Sequence, residues 1–259
     1  MAGLPLRETS LSLPIEPIPP TTRVFLCHTD ALTSLPNDSA LRHLLGASEH
    51  ERLNRYQGKR YHEFLQTRLL LRHALSSTLP GTVPPTRWQI TERSEQAPLV
   101  HQAVEAGWHY SVAHSRGMIA IVISNHGPCG VDLEYQRQRV NIAELAGEWF
   151  HPSETELLAT LADHERTVAF YRLWTMKEAL IKAKGSSIFS GILARAHFVP
   201  CNPTDERKDL YAYSLELPKA PFSLSIVCRY PPAYVTQGYP LTTAEKIIPA
   251  VTRYIIHQS

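Results

Sequence analysis

The stretch "CGVDLEYQRQRVN", residues 129–141, places two carboxylates on one side of a predicted strand. Val131 and Leu133 fit the buried face of that strand, and Asp132 and Glu134 alternate with them. Because side chains two residues apart on a strand point to the same side, the two anions are neighbours. Like charges at this separation cost free energy. The pattern indicates either an edge strand with a polar face or a site for a hard divalent cation such as Mg²⁺.

A further carboxylate lies on the helix predicted for residues 165–185, "ERTVAFYRLWTMKEALIKAKG". Its apolar residues recur at helical spacing, and Gly185 follows the last turn as a typical end signal. Glu178 and Lys182 are four residues apart and therefore share one face, with Lys177 directly before Glu178. The pair is either a surface ion pair of small energy or a metal carboxylate beside a lysine that faces a reacting centre.

A basic segment, residues 45–81, also predicts helix. Ser48 and Glu51 have the spacing of a capping box, and Gly58 is expected to divide the segment into two helices. Arg68 falls on the apolar stripe of the second helix. An arginine buried at such a position needs an anion.

The run "YSVAHSRG", residues 110–117, reads as a strand that ends in a glycine turn. His114 and Ser115 are adjacent there, but the chain contains no G-x-S-x-G motif, which argues against an acyl hydrolase. His114 is therefore either a turn residue or a contact to a ligand. The next run, "MIAIVIS" at 118–124, is continuously apolar and predicts a buried strand.

The bulk composition is that of an ordinary globular protein of 259 residues, with 43% hydrophobic and 19% charged residues. A net charge of +2 implies no surface for coating a polyanion, so any basic site must be local. The four cysteines form no CxxC pair or zinc spacing, which favours reduced thiols in the cytoplasm over disulfides. We expect no nucleic-acid partner.

The first 22 residues are rich in proline and predict an extended arm. They contain no continuous apolar core of the kind found in a signal peptide. Since no run of about 18 apolar residues exists in the chain, we also expect no membrane span.

Four motifs occur in a fixed order: "SVAHS" at 111–115, "GVDLE" at 130–134, "EWFHPSE" at 148–154 and "LWTMKEALIKAKG" at 173–185. Together they resemble the 4′-phosphopantetheinyl transferases, specifically the larger, pseudo-dimeric monomers of the Sfp type. The resemblance covers about residues 48–200, most of the chain. Each motif is modest alone, and the specificity comes from their joint occurrence.

The resemblance implies an enzyme that moves the phosphopantetheine arm of coenzyme A onto a serine of an apo acyl or peptidyl carrier protein and releases 3′,5′-ADP. It implies Mg²⁺ as cofactor and coenzyme A as co-substrate. The residues carried over from the family motifs are, for metal, Asp132, Glu134 and Glu178; for catalysis, Glu178 and Lys182; and for coenzyme A, Arg68, His114 and Lys177. Arg60, also expected at the coenzyme A site, and Arg72 are added as 3′-phosphate partners or structural ion pairs. Whether Glu178 or Lys182 is the general base stays open.

Two positions depart from the family pattern. Ala113 stands where the family often has a serine before the histidine, and Ala97 replaces the lysine of a Gly-Lys-Pro motif. Each departure removes one contact to phosphate. Arg93 or Arg116 is a candidate to replace the missing cation.

The fold implied by the resemblance is α+β, with two similar subdomains that each carry a small antiparallel sheet and a long packed helix. The active-site cleft lies between them. We expect an arm over residues 1–22, an N-terminal subdomain over 23–126 and a C-terminal subdomain over 127–259. The expected protein is a cytoplasmic monomer whose carrier partner is acidic around its serine. The sequence does not say which carrier or pathway it serves. A catalytically silent homologue that binds coenzyme A or a carrier, and a Mg²⁺-dependent phosphohydrolase, remain as alternatives.

Overall fold

The structure is a computed structural model that describes residues 19–32, 41–81, 83–94, 97–202, 208–217, 221–239 and 243–258. Residues 1–18, most of the predicted N-terminal arm, lie outside this description.

The helices are α1 Ala47–Leu53, α2 Gly58–Thr78, α3 His101–Glu105, α4 Ile142–Trp149, α5 Pro152–Thr160, α6 Asp163–Ala183 and α7 Ile192–Arg195. Strands occupy β1 Thr22–His28, β2 Ile90–Thr91, β3 Leu99–Val100, β4 His109–Ser115, β5 Met118–Ser124, β6 Gly130–Tyr135, β7 Ala196–Pro200, β8 Tyr211–Glu216, β9 Phe222–Cys228, β10 Val235–Gln237, β11 Glu245–Ile247 and β12 Ala250–Gln258.

The strands form two five-stranded sheets. The first has the order β11-β10-β1-β5-β4, and the second has the order β6-β9-β8-β12-β7. Pairing is antiparallel throughout the second sheet, and in the first sheet only β1 and β10 run parallel. The predicted α+β class with two helix-covered sheets is confirmed.

The core is layered as helix, sheet, sheet, helix. One face of β1 and β5 packs against α2, and the opposite face packs against the inner face of the second sheet. The outer face of that second sheet is covered by α6. All seven residues of β5 are buried because both of its faces are covered, which explains a continuous apolar run instead of an alternating one.

The contact between β6 and α6 depends on Gly130. A Cβ atom built at this position would lie 1.9 Å from the carbonyl oxygen of Ala179 and 2.7 Å from the amide nitrogen of Ala183. Only glycine allows two backbones to approach this closely. This approach fixes the distance between the strand that carries Asp132 and the helix that carries Lys182.

Several sequence predictions can be compared with these elements. The long helix predicted for 165–185 is observed as α6, and Gly58 does separate two helices. The capping box predicted at Ser48 and Glu51 is wrong. The helix starts two residues earlier, where Glu49 accepts a hydrogen bond from the Gly46 amide at 2.8 Å, and Ser48 instead donates to the Ile90 carbonyl.

The boundary predicted near residue 126 stays a proposal. The strands β10 and β11 belong to the first sheet although they come from residues 235–247. The C-terminal part of the chain therefore crosses back to the first sheet, so a single cut near residue 126 does not assign every strand of that sheet to the N-terminal subdomain. Within the described ranges, no helix is both long enough and apolar enough to cross a membrane.

Three stacked histidines join α5 to the second sheet. The ring of His197 lies 4.5 Å from that of His151 and 4.9 Å from that of His257, between ring centroids. Among the described residues, the buried Nδ1 of His197 has no hydrogen-bond partner. Burial lowers the pKa of His197, and the neighbouring His151, His257 and Lys177 lower it further.

We predict that Gly130→Ala lowers the stability by about 1–3 kcal/mol or more, because the added methyl group meets backbone atoms that cannot rotate away. Denaturant unfolding measures the change. A matched control is Gly147→Ala on α4, where nothing lies within 4 Å of the added carbon. Equal stability of the two variants would contradict the close packing.

We also predict that the protein loses stability as the pH falls through about 6.5, the ordinary histidine value. The unfolded chain binds a proton at that position while the folded protein, with its lowered His197 pKa, does not, so acid favours unfolding. Thermal melting from pH 7.5 to 5.5 measures the slope. His197→Gln should reduce the slope by its own share, because burial also lowers the pKa values of His73, His109 and His114, and an unchanged slope would count against a contribution from His197.

Candidate active site

The centre of the site is a contact between β6 and α6. The Lys182 ammonium donates a hydrogen bond to Oδ1 of Asp132 at 2.8 Å and another to the Val131 carbonyl at 3.1 Å. The Asp132 side chain is 10% exposed and that of Lys182 is 31% exposed. The other carboxylate oxygen, Oδ2 of Asp132, is buried and has no hydrogen-bond partner in the part of the chain that the structure describes.

The two other predicted metal carboxylates lie near Asp132. Burial raises the pKa of Glu134, and the Asp132 charge raises it further, while a hydrogen bond from the Ser115 hydroxyl at 3.0 Å acts against this rise. Burial also raises the pKa of Glu178, with Asp132 the next largest cause. The structure therefore brings together the two carboxylates of the strand and the carboxylate of the helix, close enough to influence one another.

The donor chemistry of this group fits a hard divalent cation. Mg²⁺ prefers carboxylate oxygens, and an orphaned buried oxygen such as Oδ2 of Asp132 is costly unless a cation or donor satisfies it. In the described residues, no group of three or more His, Cys, Asp or Glu side chains is already arranged at ligand distances. Side chains would have to rotate for Asp132, Glu134 and Glu178 to bind one ion together.

A cleft of about 880 Å³ adjoins this centre, bounded by α2, β4 and the C-terminal end of α6. Among the residues that the structure describes, six of those lining the cleft are Lys or Arg, and Glu63 is the one acidic residue in the lining. The lining residues are Arg52, Tyr56, Lys59, Arg60, Glu63, Phe64, Thr67, Arg68, Arg93, Ala97, Pro98, Tyr110, Ser111, Val112, His114, Lys182, Gly185 and Ser186. A concave surface with this charge attracts an anionic ligand. Lys182 belongs both to the cleft and to the carboxylate group.

Arg60 and His114, two of the residues predicted to bind coenzyme A, line the cleft with accessible side chains. The Arg60 guanidinium lies over the Tyr56 ring at 4.3 Å from its centroid. The position of His114 within the cleft removes it from bulk water and lowers its pKa, although the nearby Glu63 acts in the opposite direction.

Arg68 also lines the cleft, but a carboxylate of the protein already neutralises it. Its guanidinium lies 2.6 Å from Oε1 of Glu92, and both side chains are less than 10% exposed. The expectation that Arg68 needs an anion is confirmed, with Glu92 as that anion. Arg72 was expected to be either a 3′-phosphate partner or part of a structural ion pair. It donates two hydrogen bonds, of 2.8 and 2.6 Å, to Glu49 in the interior, so it forms the structural ion pair.

The placement of Lys177 corrects the expectation that it binds phosphate. Its side chain is fully buried, and its ammonium contacts the Leu193 carbonyl and the Ala196 carbonyl at 2.6 Å each and Glu154 at 2.7 Å. Adjacent residues on a helix point in different directions, so Lys177 faces the core while Glu178 faces β6. Lys177 instead anchors α6 to α5, to α7 and to the first residue of β7.

The roles of two residues of the site could not be predicted from the sequence. Ser115 was considered only as part of a nucleophile pair, yet its hydroxyl binds Glu134 across the two sheets. Arg93 was one of two candidates to replace the lysine missing at Ala97. It lines the cleft and donates a hydrogen bond to the Ala97 carbonyl at 2.9 Å, whereas Arg116 stacks over the Tyr135 ring.

Known proteins match this chain in sequence. A family model described as the 4′-phosphopantetheinyl transferase superfamily matches residues 128–244. The protein named "Putative 4′-phosphopantetheinyl transferase slr0495" of Synechocystis sp. is 35% identical over 175 residues, 67% of this chain and 68% of that protein. "4′-phosphopantetheinyl transferase HetI" of Nostoc sp. is 32% identical over 146 residues, 56% of this chain and 61% of HetI. "4′-phosphopantetheinyl transferase AcpT" of Salmonella typhimurium is 34% identical over 131 residues, 51% of this chain and 62% of AcpT.

The chain belongs to the 4′-phosphopantetheinyl transferase superfamily and is an enzyme of that class. The matched segment covers just over two thirds of slr0495 and less than two thirds of HetI and of AcpT. The Sfp subtype, with its pseudo-dimeric monomer, stays a prediction.

Proposed function

We propose that this enzyme transfers the 4′-phosphopantetheine group of coenzyme A to a serine of an apo acyl or peptidyl carrier protein in a Mg²⁺-dependent reaction. The observation that carries the proposal is the position of Lys182. It contacts Asp132 within a group of acidic residues and also lines a cationic cleft large enough for a nucleotide-sized ligand.

The cleft supplies the binding site for coenzyme A in this proposal. Its phosphates would contact Arg60, His114 and Arg93, the accessible cationic or polar residues of the lining. Arg68 is paired with Glu92, which neutralises it, so it is not a free donor for phosphate. Arg93 takes the place of the lysine that the family has at Ala97, because both residues line the cleft and are joined by a hydrogen bond.

Asp132, Glu134 and Glu178 would hold the metal. When bound, Mg²⁺ would neutralise charge on the diphosphate and orient the transferring phosphoryl group. The raised pKa values of Glu134 and Glu178 are consistent with a group whose mutual repulsion a cation relieves.

In the transfer itself, the hydroxyl oxygen of the carrier serine forms a bond to phosphorus, and the bond from that phosphorus to the oxygen of 3′,5′-ADP breaks. The hydroxyl proton goes to a base, and the leaving group departs with the electron pair. Lys182 donates hydrogen bonds to Asp132 and to the Val131 carbonyl and lines the cleft, a position suited to stabilising the leaving oxygen. Glu178, the carboxylate that α6 contributes to this acidic group, is the proposed acceptor of the proton, directly or through a water.

The partner in this proposal is a carrier protein that is acidic around its serine, and the enzyme acts as a cytoplasmic monomer. Cationic residues at the cleft mouth would favour weak docking that is sensitive to salt. Which carrier it modifies does not follow from the site.

We predict that Asp132→Asn abolishes transfer, because the variant loses the charge that pairs with Lys182 and would bind the metal. The measurement is the mass of an apo carrier protein incubated with coenzyme A, Mg²⁺ and enzyme. Asp209→Asn is the matched control, since Asp209 is 96% exposed and lies 3.8 Å from Arg229 in a weak surface contact.

Gain of the phosphopantetheine mass with the wild-type enzyme and with the control supports the proposal. Cleavage of coenzyme A without carrier modification would establish a phosphohydrolase instead. Binding of coenzyme A or carrier without any reaction would establish a silent homologue. Near-normal transfer by the Asp132 variant would refute the metal assignment.

We further predict that Arg93→Gln raises the KM for coenzyme A about tenfold or more, with a smaller effect on kcat, because it removes a charge-assisted contact to phosphate. Arg116→Gln is the control, since Arg116 stacks over Tyr135 and does not line the cleft. Steady-state kinetics at varied coenzyme A measures both. If Arg116→Gln has the larger effect, the missing family lysine is replaced by Arg116.

A further inference from the structure

The edge strands of the two sheets meet where β4 lies beside β6. The Ser111 hydroxyl accepts a hydrogen bond from the Val131 amide, and the Ser115 hydroxyl accepts one from the Tyr135 amide, both at 3.2 Å. Ser111 and Ser115 are four residues apart on β4, and Val131 and Tyr135 are four residues apart on β6, so the two strands run side by side in the same direction. Serine side chains thus join the two sheets at this line of contact.

Ser115 makes one contact that Ser111 does not. Its hydroxyl hydrogen is directed to Oε2 of Glu134 at 3.0 Å. A hydroxyl has one hydrogen to donate, and the Tyr135 amide is itself a donor, so the hydrogen is available for the carboxylate. This bond determines which carboxylate oxygen of Glu134 turns toward β4 and therefore how the other one is oriented.

The hairpin that carries Ser115 is rigid on both sides of the contact. Arg116 and Gly117 form its two-residue turn with φ values of 44° and 80°, the left-handed conformation that tight hairpins use. The Arg116 guanidinium lies over the ring of Tyr135, the residue that follows Glu134, at 4.9 Å from the ring centroid. The end of β4 is therefore held against the end of β6 by a cation–π contact as well as by hydrogen bonds.

We propose that Ser115 is a positioning residue for the metal site. It anchors Oε2 of the Glu134 carboxylate, so that the other carboxylate oxygen stays available to bind a divalent cation together with Asp132 and Glu178. Removing a hydrogen-bond partner that orients a metal-binding side chain typically lowers the metal affinity by about 10- to 100-fold. The inference rests on the metal set of the proposed function. It also links the first sheet, which supplies Ser115, to an ion held by the second sheet and α6.

The test measures binding of Mn²⁺ to the whole protein in the presence of saturating coenzyme A, by the loss of the electron paramagnetic resonance signal of free Mn²⁺. Ser115→Ala should raise the dissociation constant about tenfold or more. Ser115→Thr keeps the hydroxyl and should restore an affinity close to that of the wild type. Ser124→Ala is the control: the Ser124 hydroxyl, in β5 of the same sheet, accepts a hydrogen bond from the His126 amide at 3.2 Å and is not among the cleft-lining residues, so its Mn²⁺ affinity should stay within about twofold of the wild type.

A double-mutant cycle shows whether Ser115 acts through Glu134. In a Glu134→Gln background, Ser115→Ala should weaken Mn²⁺ binding little further, since the carboxylate it orients is already gone. Additive losses, equal effects of Ser124→Ala and Ser115→Ala, or no Mn²⁺ binding by the wild type would each overturn the inference. Transfer to an apo carrier is measured in parallel. A wild type that binds Mn²⁺ but transfers nothing would refute the proposed function while leaving the role of Ser115 supported by the binding data.

Discussion

The structure depends on the close approach of β6 and α6 at Gly130. Because no side chain separates the two backbones there, Asp132 comes within hydrogen-bond distance of Lys182, one turn beyond Glu178 on the helix. Glu134 follows Asp132 on the same face of the strand. The cost of placing these acidic groups together is partly offset by the Lys182 ammonium, and a divalent cation would offset more of it. The chemistry of the site therefore follows from a packing constraint at one glycine.

Two buried ion pairs support this site from outside it. Lys177 and Glu154 fix α6 against α5, and Arg68 and Glu92 fix the α2 wall of the cleft against β2. Breaking a buried pair by removing one partner leaves an uncompensated charge, so these contacts resist rearrangement. The position of Lys182 on α6 then links the acidic group to the cationic cleft. The ligand-binding and metal-binding parts of the site are thus joined through α6, which Lys177 anchors to α5.

The sequence was sufficient to predict elements with a strong periodic pattern and residues with a family motif. It predicted α6, β5 and the acidic group, because apolar spacing and local motifs depend on neighbours in the chain. It could not predict contacts that depend on distant segments. The expectation that Lys177 contacts phosphate missed its partner, Glu154, which lies 23 residues away, and the anion of Arg68, Glu92, lies 24 residues away, just after β2. The return of β10 to the first sheet likewise depends on tertiary pairing and not on its three residues.

The central claim is that Asp132, Glu134 and Glu178 bind one divalent cation against the diphosphate of coenzyme A. Its most direct test is a crystal structure of the enzyme with coenzyme A and Mn²⁺, with the ion located by anomalous scattering. The account predicts a single strong peak within about 2.0–2.3 Å of carboxylate oxygens from both β6 and α6 and of phosphate oxygens. A peak held only by phosphates and water, or at acidic residues elsewhere on the chain, would contradict it.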